Sequence, residues 1–165
     1  MDIWPQIVLG GVAAAAIGAI VAGRISRSIK ISEFQQAWIN DLRKDIAKYV
    51  GVSHEWIRRY ERYNDLDASE QEERARMDRE ELSPIHNEAL VILSRIKLRF
   101  NPRKNRYQKE DDEFLCALDN LLNPGKLTPP NLESSWHTLK DDAVERARNI
   151  LKREWEVTKQ PSQWF

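Results

Sequence analysis

Three histidines, His54, His86 and His137, are the side chains best suited to hold a metal or move a proton, and they lie far apart in the chain. His54-Glu55 does not continue as H-E-x-x-H, the helical spacing that turns two imidazoles and a general base toward one zinc ion. His137 and Asp141 share a helix face, but two ligands do not make a site. Glu110, Asp111, Asp112 and Glu113 lack the glycine and alternating spacing of a calcium loop. No glycine-rich phosphate loop and no G-x-S-x-G elbow occurs. Cys116 sits in the apolar run F-L-C-A-L and is expected to pack there. A single cysteine excludes an intrachain disulfide framework and fits a reducing compartment. These residues lead to the expectation of a protein that is not an enzyme and needs no metal or cofactor.

The most distinctive charged stretch is Arg95 to Lys109, with seven cations and no acid. It offers phosphate contacts through Arg99, Arg103, Lys104, Arg106 and Lys109, to lipid headgroups or to nucleic acid. The competing reading is a solvated helix end whose charge complements Glu110 to Glu113. Nucleic acid is the weaker partner, because the chain as a whole balances 26 basic against 26 acidic residues.

The elements that must position these groups begin with the segment Ile3 to Gly23, which carries no ionisable side chain. About 20 such residues, rising about 1.5 Å each, match a hydrocarbon layer about 30 Å thick. A transmembrane anchor over residues 1–23 is therefore expected. A cleaved signal peptide would carry its positive charge first, whereas Arg24, Arg27 and Lys30 follow the run. A buried soluble helix would show a polar stripe, and a surface-lying helix a charged face. The basic flank places residues 24–165 in the cytoplasm. Within the span, Gly10, Ala14, Gly18 and Ala22 form one row of small residues. Gly11, Ala15, Ala19 and Gly23 form a neighbouring one. Small residues let helix backbones approach closely in lipid, so this face is expected to mediate association.

Beyond the anchor, every periodicity is helical and no strand is expected. Ser32 and Gln35 can cap a helix over residues 31–63, with heptad columns Ile39, Ile46, Tyr60 and Leu42, Tyr49, Trp56, Tyr63. This helix is either a coiled-coil stalk between chains or a member of its own domain. The bulk of its aromatic columns favours the second. A charged helix follows over residues 70–81, with Ser69 and Glu72 as its cap. Ser83-Pro84 predicts a fresh helix start, running to Phe100 with two apolar faces, the second carrying Val91 and Leu98. A further helix spans residues 108–122. A last one, capped by Asn131, spans 132–158, with Leu132, Trp136, Leu139, Ala143, Ala147, Ile150, Leu151 and Trp155 facing inward. The expected fold is all-α: an N-terminal transmembrane helix followed by a four- or five-helix cytoplasmic bundle.

Two stretches, F-Q-Q-A-W-I-N-D-L-R-K-D at Phe34 to Asp45 and R-I-K-L-R-F-N-P at Arg95 to Pro102, carry a resemblance. They are similar to bacterial single-pass membrane proteins with an N-terminal anchor and a helical cytoplasmic domain. The resemblance covers about a fifth of the chain, names no chemistry and transfers no site residue. It implies a bacterial inner-membrane location. Together these readings predict a membrane-anchored helical interaction module, an adaptor or assembly subunit. Its partners would be the lipid bilayer and either further copies of itself (a homo-oligomer) or a membrane or cytoplasmic protein. The alternatives are a membrane-perturbing effector and a phosphate sensor built on residues 95–109.

Overall fold

From Trp4 the backbone runs as one helix, α1 (Trp4–Asp65), of 62 residues. Between Arg24 and Val50 there is no glycine or proline to stop it. The separate helix expected to start at Ser32 therefore does not exist, and no capping box forms there. The computed structural model describes residues 4–67, 69–100, 106–128 and 131–158, with the side chains of Ser26 and of residues 29–157 within these ranges. The expected span, residues 3–23, and its association face at Gly10, Gly11, Ala14, Ala15, Gly18, Ala19, Ala22 and Gly23 lie outside the described side chains. Among the described residues no helix is long and apolar enough to cross a membrane.

After a turn, in which the Asp67 N–H donates to Glu70 Oε2 at 3.0 Å, the chain enters α2 (Gln71–Met77). A π-helical turn (Asp78–Leu82) and α3 (Ser83–Leu98) continue it without interruption. Ser69 is not the cap of α2; Glu70 occupies that position, with no side-chain capping bond. Nor does Ser83-Pro84 start a new helix. Pro84 has no N–H to give and its ring crowds the carbonyl four residues back, which an α-turn cannot tolerate without strain. The chain widens instead. The Ser83 N–H donates to the carbonyl of Asp78, five residues back, and the Ser83 hydroxyl reaches Asp78 Oδ1 at 3.3 Å. A widened turn next to proline is a standard way for a helix to absorb it.

α4 (Gln108–Asn120) follows, then a 3-10 turn (Pro124–Lys126) and α5 (Leu132–Thr158). Asn123 accepts from the Gly125 N–H at 3.0 Å. As expected, Asn131 caps α5, accepting from the Ser134 N–H at 2.8 Å. Four rods result: the C-terminal half of α1, the continuous α2–α3, α4 and α5. Cross-helix contacts make α1 and α3 antiparallel, and α4 and α5 antiparallel. Asp45 meets Arg99 and Arg62 meets Glu81; Arg146 meets Glu113 and Arg153 meets Glu110. The protein is all-helical, with no strand among the described residues.

The heptad columns of α1 face this same chain. Ile39, Leu42, Ile46, Tyr49 and Trp56 are buried, with Ile57, against α3 and α5. This decides the coiled-coil question for those residues in favour of packing within the domain. Ser53, which interrupts one column, is fully buried and satisfies its hydroxyl locally by donating to the Val50 carbonyl at 3.1 Å. From the other rods come Ala89, Ile92, Leu93 and Ile96, Phe114, Leu118 and Leu121, and Trp136, Ala143, Ala147 and Ile150. Three expectations about faces are corrected. Val91 and Leu98 are 63% and 85% exposed, because in a ring of four rods α3 has neighbours on one side only. Trp155 is half-exposed rather than internal. Cys116 points to solvent.

Tyr49 ties α1 to α4. Its phenol is fully buried and donates to the Leu118 carbonyl at 2.8 Å. Burial pushes its pKa well above the usual phenol range, and the Asp119 carboxylate adds to the shift. The folded chain therefore keeps a proton that the unfolded chain releases above about pH 10. This contribution is complete below about pH 10 and declines by about 1.4 kcal/mol per pH unit above it. Tyr49→Phe should lose about 1 kcal/mol at neutral pH. Its urea midpoint should fall less than wild type's between about pH 9 and about pH 11. Equal declines in the two proteins would contradict the assignment.

Candidate functional site

The basic stretch does not stand free. Arg95 Nη2 reaches Asp45 Oδ1 at 2.8 Å, and Arg99 Nη2 reaches Asp45 Oδ2 at 3.0 Å. Asp45 is 8% exposed, so its carboxylate needs these partners. Lys97 pairs with Asp119 at 2.7 Å and Lys109 lies 3.9 Å from Glu113. Arg106 bonds the Tyr107 hydroxyl and lies over its ring, 4.4 Å from the centroid. Arg103 and Lys104 lie outside the described residues. Of the five cations expected to contact phosphate, Arg99 and Lys109 thus face acids, Arg99 as part of a clamp from α3 onto α1.

Cations without such partners lie elsewhere. A groove of about 580 Å³ runs between α1 and the C-terminal part of α5. Its floor is Ile39, Leu151 and Trp155; its rim carries Arg43, Arg148 and Lys152. None of these three makes an ion pair within 4.0 Å among the described residues. Grooves of this size, apolar beneath with a few charged groups above, are typical of binding sites. The groove lies at the end of the bundle from which the N-terminal part of α1 extends.

At the opposite end, antiparallel packing of α1 and α5 brings together two of the three histidines. His54 Nε2 lies 3.2 Å from Glu133 Oε1, and His137 Nε2 lies 4.0 Å from the same oxygen. The rings of His54 and His137 are 5.4 Å apart, centre to centre. Asp141, the residue that shares a face with His137 in the sequence, instead pairs with Lys140 at 2.9 Å. That hydrogen bond is the main cause holding its carboxyl below the usual range. His86 lies apart, tilted against Trp56 at 5.9 Å. The sequence held one clue, the E-x-x-x-H spacing of Glu133 and His137, which puts both on one face of α5.

The described residues form an all-α bundle with a groove between α1 and α5. The chain matches no protein-family model, no curated protein and no solved structure at a significant level.

Proposed function

We propose that this protein is a membrane-anchored helical interaction module, fixed in the bilayer by residues 3–23 and presenting its bundle to the cytoplasm. One observation carries the reading: the helix that begins at Trp4 is the same helix whose residues 39–57 form the core. An apolar segment with a basic flank thus passes into the domain without a linker. The small-residue rows at Gly10 to Gly23 then offer a face for association in lipid.

Distance favours a protein as the occupant of the groove. Gln36, its residue nearest the apolar segment, lies thirteen residues beyond Gly23, or about 20 Å along a helix. The headgroup layer on each side is only about 5–8 Å deep, and charges are screened over about 8 Å at physiological salt. An upright helix would therefore hold Arg43, Arg148 and Lys152 clear of the lipid phosphates. An apolar floor with a cationic rim suits an acidic amphipathic helix from a partner.

The full chain should remain with the membrane pellet after an alkaline carbonate wash. Gly10→Leu with Gly18→Leu should stay in the pellet yet lose most chemical cross-linking between copies. Release of wild-type chain into the supernatant would defeat the anchor. Undiminished cross-linking in the variant would defeat the small-residue face.

A further inference from the structure

We propose that His54, Glu133 and His137 form a binding site for a divalent transition-metal ion of the zinc class, joining α1 to the first turns of α5. Each residue turns one ligand atom toward the others, and the three atoms lie within 4.8 Å of one another. Bonds of about 2.0–2.1 Å in a tetrahedral arrangement set ligand atoms about 3.3–3.4 Å apart. The His54–Glu133 spacing of 3.2 Å is already at that value, and the His137–Glu133 spacing of 4.0 Å closes to it with a small side-chain rotation. All three side chains retain the freedom for this, at 36%, 44% and 47% exposure.

The convergence is built, not incidental. Trp136, 1% exposed, packs against both histidines. His54 stacks on its indole at 4.7 Å with an interplanar angle of 24°, and His137 meets it edge-on at 5.3 Å. The buried indole thus orients both imidazoles, the role that supporting residues play around metal ligands. A simple His–Glu ion pair would use one imidazole. Here a second one addresses the same carboxylate oxygen, and a shared cation is what would satisfy both nitrogen lone pairs and the carboxylate together.

The donor set selects the metal. Two imidazole nitrogens with one carboxylate oxygen suit zinc, copper or nickel rather than calcium or magnesium, which take oxygen ligands. Three protein ligands leave a tetrahedral ion one position for water. Glu133 also borders an adjoining cavity of about 450 Å³ lined by Glu55, Arg58, Glu61 and Arg62, so solvent reaches this side of the cluster.

The test uses tag-free full-length chain in detergent micelles, with Co²⁺ and Zn²⁺ as probes. Co²⁺ should give the visible absorption bands of a tetrahedral complex, abolished by one equivalent of Zn²⁺. Zn²⁺ should raise the thermal midpoint of unfolding. His54→Ala, His137→Ala and Glu133→Gln should each weaken Zn²⁺ binding by about 10–100-fold or more, while His86→Ala leaves it unchanged. Circular dichroism of each variant without metal verifies folding, and Glu133→Gln keeps the side-chain size should an alanine variant unfold. Absence of the Co²⁺ bands, or wild-type affinity in the folded variants, would overturn the site.

Discussion

Replacing Trp136 by alanine is expected to destabilise the bundle by about 3–5 kcal/mol, the range for emptying a large aromatic from a core. Trp136 is among the largest fully buried side chains and fills the junction of α5 with α1. The helix cannot close the space, because residue 136 is fixed between the Asn131 cap and the buried Ala143. Trp136→Phe should behave differently. The indole Nε1 is buried with no hydrogen-bond partner among the described residues, an arrangement that itself costs about 1–3 kcal/mol. Phenylalanine removes that unpaired donor while keeping much of the apolar volume, so its net cost should be within about 1 kcal/mol. Urea denaturation of the two variants separates them. Similar losses in both would mean that Nε1 is satisfied by water and that the site tolerates no change of shape.

Arg153→Ala should be the most damaging change to a charged residue. The guanidinium is 14% exposed and binds Asp111 at 2.8 Å, Glu154 at 2.9 Å and Glu110 at 3.1 Å. It also lies over the Tyr107 ring, 4.4 Å from the centroid. Asp111, 12% exposed in its side chain, would be left with no cation among the described residues to answer its charge. Breaking a buried pair costs about 3–5 kcal/mol. Solvent reaches the rim of this cluster, where Glu110 is 63% exposed, so about 2–3 kcal/mol is expected here. The double replacement Arg153→Met with Asp111→Asn should recover most of that loss, since the penalty comes from the unanswered charge. Unfolding free energies of both proteins decide it: a double variant no better than Arg153→Ala would show that packing of the arginine stem, not charge, holds α4 to α5.

Much of the fold could be read directly from the chain. Ile39, Leu42, Ile46, Tyr49 and Trp56 recur at steps of three, four and seven residues, and that rhythm is enough to name a buried face. The same holds for Trp136, Ala143, Ala147 and Ile150. Periodicity does not count neighbours, however. Val91 and Leu98 have an apolar character suited to burial, yet only the ring of four rods determines that nothing packs on them. Ser83-Pro84 has the composition of a helix start, and the widened turn that lets the helix continue leaves no mark in local composition. The charge of Arg95 to Lys109 is visible in sequence, while the acids that answer it, Asp45 and Asp119, come from other helices. His54 and His137 meet only because α1 and α5 run antiparallel in one particular alignment. No window short enough to read as a motif contains both.

The unbroken course of α1 has a mechanical consequence. Residues 4–35 form an arm about 48 Å long, and a tilt of roughly 10° at its base would swing the tip by about 8 Å. With no linker to absorb that displacement, the load falls on Leu42, Tyr49 and the other side chains wedged among the neighbouring rods. Gly51 is the one glycine between Arg24 and Asp65, on the solvent side with nothing within 4 Å of where a Cβ would stand. It falls between Tyr49 and Trp56, inside the wedge itself, so a bend at this glycine would carry Leu42, Ile46 and Tyr49 along with the arm.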